Sequence, residues 1–164
     1  MPSHDLLEYL SRPMYHGSGG VFRKPKMPAF FTDDIRAASW FSYERGDGPP
    51  MIYEAMLDIS NPLDARTKEG MFAFFEIASR AGVSIETSES SRSWTFYSKD
   101  ISRYSPSDGY NPVDLMYIPK VRRALERDGY DGLVAWDALG NKQILAFLPV
   151  RSDQINVLNL IEAA

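Results

Sequence analysis

Residues 133–148 constrain the fold more than any other stretch of this chain. Residues 133–136 and 142–148 are short runs rich in branched and aromatic side chains, and Asp137-Ala138-Leu139-Gly140-Asn141 lies between them. Asp, Gly and Asn are turn formers, so two apolar runs joined by a five-residue stretch that contains all three predict a β-hairpin. A hairpin imposes antiparallel pairing. Residues 154–160 read as a further strand beyond it. Strands and helices are interspersed upstream, which predicts an α+β fold rather than a doubly wound parallel sheet.

The rest of the chain is punctuated clearly. Residues 5–11 form one or two helical turns, with Ser3 as N-cap and Pro13 as stop. Met14-Tyr15 leads as a strand end into His16-Gly17-Ser18-Gly19-Gly20, a flexible turn, and residues 23–28 form a basic, proline-containing loop. Residues 29–32 read as a short strand. Asp33-Asp34 then caps a helix with Ile35, Ala38 and Phe41 spaced three apart. Residues 46–50 break the chain. Residues 51–59 form a strand closed by Ser60-Asn61-Pro62. Helices are predicted at 69–80, stopped by Gly82, and at 119–127, with Pro119 at the first turn and Gly129 just past the end. Residues 83–117 carry no clear period and read as a variable insertion within a single domain spanning 1–164.

Composition narrows the function. The chain carries a net charge of −4, which gives no support to duplex nucleic-acid binding, where a basic face supplies most of the affinity. It has no cysteine and only His4 and His16, so thiolate catalysis is excluded and no metal is expected. No apolar run approaches the roughly twenty residues of a membrane span. The N-terminus lacks a signal-peptide pattern, so a cytoplasmic location is expected.

Three segments stand out together: Tyr15-His16-Gly17-Ser18; Phe30-Phe31-Thr32-Asp33 with residues 38–41; and Gly129-Tyr130-Asp131-Gly132 followed by Lys142-Gln143-Ile144. Each alone also reads as ordinary structure: a buried histidine, an apolar helix face, a helix stop. In this order and spacing they resemble the His-Tyr-Glu class of ADP-ribosyltransferases, the diphtheria-toxin-like and poly-ADP-ribose-polymerase-like branch, and in particular its small phage and bacterial members. The resemblance runs from about Met14 to Leu158, without residues 83–117. It implies split, mostly antiparallel sheets flanked by short helices, NAD as co-substrate, and a protein target in a host cytoplasm, such as a CRISPR defence complex.

The resemblance also implies roles. His16 would hydrogen-bond a ribose hydroxyl. Gly17, lacking a side chain, would offer its N–H and C=O to the nicotinamide carboxamide. Phe30 and Phe41 would sandwich the nicotinamide ring where the family usually has Tyr, with Trp40 as substitute if the helix is rotated by one position. Ser18 and Thr32 would support the site through hydrogen bonds. Gln143 stands where active members usually carry Glu; an amide accepts a hydrogen bond but brings no negative charge to an oxocarbenium-like state. Asp131 and Asp137 flank this region and read as turn formers. From Ser91 to Tyr104, Arg92, Lys99 and Arg103 alternate with Trp94, Phe96, Tyr97 and Tyr104, a mixture suited to a protein target or to single-stranded nucleic acid. Two other readings compete: a non-catalytic protein of the same fold that binds NAD or blocks a partner, and an unrelated α+β domain.

Overall fold

A computed structural model describes residues 4–44, 48–89, 94–100, 112–139 and 142–163. It is α+β, with two three-stranded sheets, a separate hairpin and short helices. Helix α1 (His4–Leu10) precedes β1 (Met14–Ser18), α2 (Ile35–Glu44), β2 (Met51–Leu57) and β3 (Pro62–Asp64). Helix α3 (Lys68–Arg80), the hairpin β4 (Glu86–Glu89) and β5 (Trp94–Tyr97), a 3-10 segment (Pro112–Tyr117) and α4 (Pro119–Arg127) follow. Strands β6 (Gly132–Leu139), β7 (Lys142–Pro149) and β8 (Ile155–Glu162) complete the chain.

The first sheet runs β1-β2-β8 and is antiparallel; the second runs β3-β6-β7, antiparallel except for the parallel β3–β6 pair. Two residues stitch them together. Thr32 exchanges main-chain hydrogen bonds with Tyr15 of β1 (2.8 and 2.9 Å), and Phe31 does so with Phe147 of β7 (2.9 and 2.8 Å). The strand expected at 29–32 is thus two bridging residues, because successive peptide groups turn to opposite neighbours.

The β6–β7 pair is buried on both faces, which explains its nearly continuous apolar sequence. Val134, Leu145 and Phe147 pack with Leu6 and Leu10 of α1 and with Phe31. Leu133, Ala135, Ala146 and Leu148 pack on the other face with Phe74 and Ile77 of α3 and Val121 and Leu125 of α4. Each helix obeys its local chemistry. The Thr67 hydroxyl accepts from Gly70 N–H at the start of α3 (3.0 Å), and Pro119 opens α4. Gly82 (φ +91°) and Gly129 (φ +93°) follow the two helices in the left-handed region, where a Cβ is disfavoured.

Several expectations are corrected. The hairpin turn is shorter than five residues: β6 continues through Asp137 to Leu139, pairing with Lys142, because the ladder hydrogen bonds outweigh the turn preference of Asp137. Asp131 is a brace: its carboxylate accepts from the main chain of Ser60 and Asn61 (both 2.8 Å), which aligns Pro62 with Gly132 as a parallel strand where only a strand ending was expected. His16 to Ser18 belong to β1 itself. Of the contact region from Ser91 to Tyr104, β5 forms its middle, whereas residues 91–93 and 101–104 lie outside the described residues, as do Gly140 and Asn141. Among the described residues no helix is long and apolar enough to cross a membrane.

Candidate functional site

Antiparallel geometry fixes where each peptide group of β1 points. Tyr15 directs its N–H and C=O away from β2, toward Thr32. Orientation alternates along such a strand, so His16 turns its peptide groups to its partner Tyr53, and Gly17 turns outward again on the same edge as Tyr15. The stitch ends at Thr32, and the chain leaves through Asp33 into α2. The Gly17 donor and acceptor therefore face the split between the two sheets. Among the described residues no main-chain group bonds them on that edge. The missing side chain has a second use: a Cβ at position 17 would lie 2.1 Å from the Ala38 carbonyl oxygen and 2.7 Å from Ser42 N. Glycine lets α2 lie directly on β1.

That contact places α2 over a narrow cleft whose free interior is about 10 Å³, room for about one water, within about 300 Å³ counted to its open mouth. Its walls bring together His16, Gly17, Phe30, Thr32 and Phe41 from the expected site, and add Tyr15, Ala38, Asp137 and Ile144. Phe41 is half-buried in the wall, whereas Trp40 is 48% exposed and meets Phe41 edge-on with ring centroids 5.1 Å apart. The helix register thus selects Phe41, and Trp40 is no substitute. Phe30 is held edge-on by Tyr117 (5.6 Å). Burial, and secondarily Glu54, push the Tyr15 phenol up from its ordinary range, so it stays protonated and is no base near neutral pH.

His16 is almost fully buried, with its ring between Phe31 (5.4 Å) and Tyr53 (6.2 Å). Its Nδ1 lies 2.8 Å from the Phe30 carbonyl oxygen. A carbonyl only accepts, so Nδ1 carries the proton, and in the neutral ring Nε2 is the acceptor. The imidazole is thereby tied to the residue whose ring lines the cleft. Thr32 Oγ1 accepts from Asp34 N–H (3.3 Å), and Ser18 Oγ donates to the Gly20 carbonyl (3.0 Å). Both groups shape the backbone. Ser18 lines a second, wider cavity of about 1370 Å³, counted to its open mouth, which shares His16 and Gly17 with the cleft. Phe22 and Lys26 stand on its wall, the ammonium 4.6 Å from the ring centroid. The Tyr53 hydroxyl bonds both main-chain groups of Phe22, which fixes this wall.

Gln143 does not line the cleft. It is exposed at the start of β7, and its neighbour Ile144 is the lining residue. Strand alternation puts Gln143 on the face of Leu145 and Phe147, and Asp137 on the face of Ile144 and Ala146. His16 packs on Phe31, which belongs with Leu145 and Phe147. The arrangement therefore straddles the split: the aromatic slot with Asp137 on one face, His16 and Gln143 on the other, and the open edge of Gly17 between. Beside Gln143, Lys142 Nζ donates to Asp34 Oδ2 (3.0 Å), tying β7 to the first turn of α2. This bond, with the Arg36 N–H at 2.9 Å, holds the Asp34 carboxyl below its ordinary range.

Tyr15, Ala38 and Ile144 were missed as lining residues. The signal was present: Tyr15 is two positions before Gly17, and Ala38 is the small residue one helical turn before Phe41. Among the described residues no three His, Asp or Glu side chains cluster as a metal site. Comparison with protein-family models, curated proteins and solved structures finds no match to this chain.

Proposed function

We propose that this chain is a mono-ADP-ribosyltransferase of the His-Tyr-Glu type that transfers ADP-ribose from NAD to a protein. One observation carries the reading: the outward N–H and C=O of Gly17 open into a slot walled by Phe30 and Phe41, beside a buried His16 of fixed tautomer. A primary carboxamide needs one acceptor and one donor side by side, and its ring needs flat apolar walls. The slot and the wider cavity share His16 and Gly17 in their walls, so a sugar that followed the ring would pass His16, and the diphosphate would lie toward Lys26.

In the reaction the bond between the ribose C1′ and the nicotinamide nitrogen breaks, and its electron pair stays with nicotinamide, which leaves neutral. The oxocarbenium-like sugar is captured by a nucleophile of the target, which releases a proton. No strong acid is required. The protein supplies position and electrostatic support. Gln143, which lines neither the slot nor the wider cavity, would have to reach a ribose hydroxyl from outside them, and its amide oxygen would give weaker support than a carboxylate.

That neutral, exposed Gln143 favours a second reading, a protein of the same fold that binds NAD without cleaving it. One experiment separates them. Purified protein is titrated calorimetrically with NAD, then assayed for nicotinamide release and for labelled ADP-ribose on lysate proteins. Binding with release and a labelled band supports the transferase. His16→Ala and Phe41→Ala are expected to weaken NAD use, Phe41→Ala by roughly 2- to 10-fold from lost stacking. Binding without release selects the second reading, and absence of binding defeats both.

A further inference from the structure

A recess on the flank of α4 shares no lining residue with the cleft or with the wider cavity. It is lined by Pro119, Arg122, Arg123, Glu126, Val150 and Arg151. Its free interior is about 220 Å³, roughly seven times the share of about 30 Å³ that one water takes in the liquid. Helix periodicity gathers these groups. Positions 119, 122, 123 and 126 recur every three or four residues and form one flank of α4, while Val121 and Leu125 carry the opposite flank into the core. Arg151 joins them from the segment that leaves β7.

Charge in this recess is unbalanced. Glu126 is paired with Arg151, which Asp153 also engages at 3.1 Å. Among the described residues no carboxylate pairs with Arg122 or Arg123. Arg122 donates to the Met116 carbonyl, a neutral acceptor that takes one of the five guanidinium N–H groups. Burial, and secondarily the neighbouring Arg123, hold the Arg122 guanidinium below its ordinary range. No side chain caps the start of α4 at Ile118, so the positive end of the helix dipole adds to the same charge. Two adjacent cations in a partly buried recess repel each other, and an anion placed against both relieves that repulsion.

We propose that this recess is a binding site for a phosphate dianion, the group carried by phosphate monoesters, held by Arg122 and Arg123. Charge selects that ligand. Arg151 and Glu126 cancel each other, and the two remaining guanidinium charges equal the charge of about −2 on a phosphate monoester near neutral pH. A phosphodiester or a carboxylate brings one charge and leaves the second arginine unsatisfied. Geometry points the same way, because the planar guanidinium fork engages phosphate oxygens in pairs. The site stands independently of the NAD reading. A free phosphorylated small molecule and a phosphorylated side chain carry the same group.

The test follows backbone amide shifts of the intact, 15N-labelled protein at neutral pH and constant ionic strength. The probes are inorganic phosphate, O-phosphoserine, dimethyl phosphate and acetate. Both dianions are expected to give saturable shifts centred on Arg122, Arg123 and Arg151, with Kd on the order of 1 mM or tighter. Dimethyl phosphate and acetate are expected to bind at least about fivefold more weakly. Tighter binding of O-phosphoserine than of inorganic phosphate names a phosphorylated side chain as the source; equal or weaker binding names a free phosphate. Arg123→Gln, at an exposed position, is expected to weaken both dianions about tenfold with the rest of its spectrum unchanged. Arg12→Gln removes the same charge from α1's far end and is expected to leave binding as it was. Shifts that never saturate, or that centre elsewhere, overturn the site. Equal binding of dimethyl phosphate overturns the dianion and points to a nucleic-acid backbone. Equal effects of Arg123→Gln and Arg12→Gln reduce the binding to the protein's overall charge and overturn the proposal.

Discussion

Tyr15 and Gly17 are two positions apart on one strand and present the same outward donor and acceptor, yet their surroundings are opposite. At Tyr15 the edge is closed: Thr32 takes both hydrogen bonds, and the neighbouring Phe31 does the same for Phe147, so the two sheets become continuous. At Gly17 the edge is open: the chain has turned away into α2, and the peptide groups face a cleft. Buried peptide groups are normally paired. An edge that is closed everywhere would give a more cohesive sheet and no place for a ligand. The contrast shows how a cleft arises where a ladder stops one residue pair early.

Breaking the closed side should have the largest effect. Phe147→Ala removes a fully buried ring at the stitch and is expected to destabilise the fold by about 3–5 kcal/mol, lowering Tm by roughly 10 °C in thermal denaturation. A loss of only a degree or two would mean that the Phe147 ring carries little of the packing where the two sheets meet. The open side should be less costly. Gly17→Ala forces a methyl against the α2 backbone and is expected to cost about 1–3 kcal/mol. NAD binding should fall further than stability does, because α2 carries Phe41; calorimetry of the folded variant beside its melting curve tests this. Unchanged binding would separate Gly17 from the ligand.

The smallest effect belongs to the tie flanking the open side. Lys142→Met removes the ammonium that holds the Asp34 carboxyl down, a partly exposed pair worth up to about 1 kcal/mol. The sign of its pH dependence is fixed. A carboxyl whose folded pKa is depressed stabilises the fold above its unfolded value, near 3.8, and that stability is lost as pH falls through the lower folded value. The difference in Tm between wild type and variant should therefore be full at neutral pH and close on acidification below 3.8. A difference that persists in strong acid would show that Lys142 acts by packing.

Local chemistry made much of this legible. Pro119 and Gly129 delimit α4 at the expected residues, and α3 begins one residue before its expected start because Thr67 is the cap. The three-residue spacing of Ile35, Ala38 and Phe41 marks α2 and brings Phe41 to the cleft, although Ile35 itself is exposed. What escaped depends on partners distant in sequence. Nothing local to Phe31 and Thr32 says that one pairs to the left and the other to the right. Asp137 carries turn chemistry in its own neighbourhood and becomes a strand residue only because Ile144 lies opposite. The β4–β5 hairpin has no apolar alternation to reveal it, since 86–89 is Glu-Thr-Ser-Glu.

The segment 30–34 compresses a cleft wall, the joint between two sheets and the anchor of a helix into five consecutive residues. Adding or deleting one residue there would shift the later residues of the segment to the opposite side relative to the sheets, exchanging ring for joint and joint for anchor. Such a stretch accepts changes of side chain far more readily than changes of length. Anyone transplanting this cleft onto another scaffold would have to carry the five residues across as one indivisible cassette.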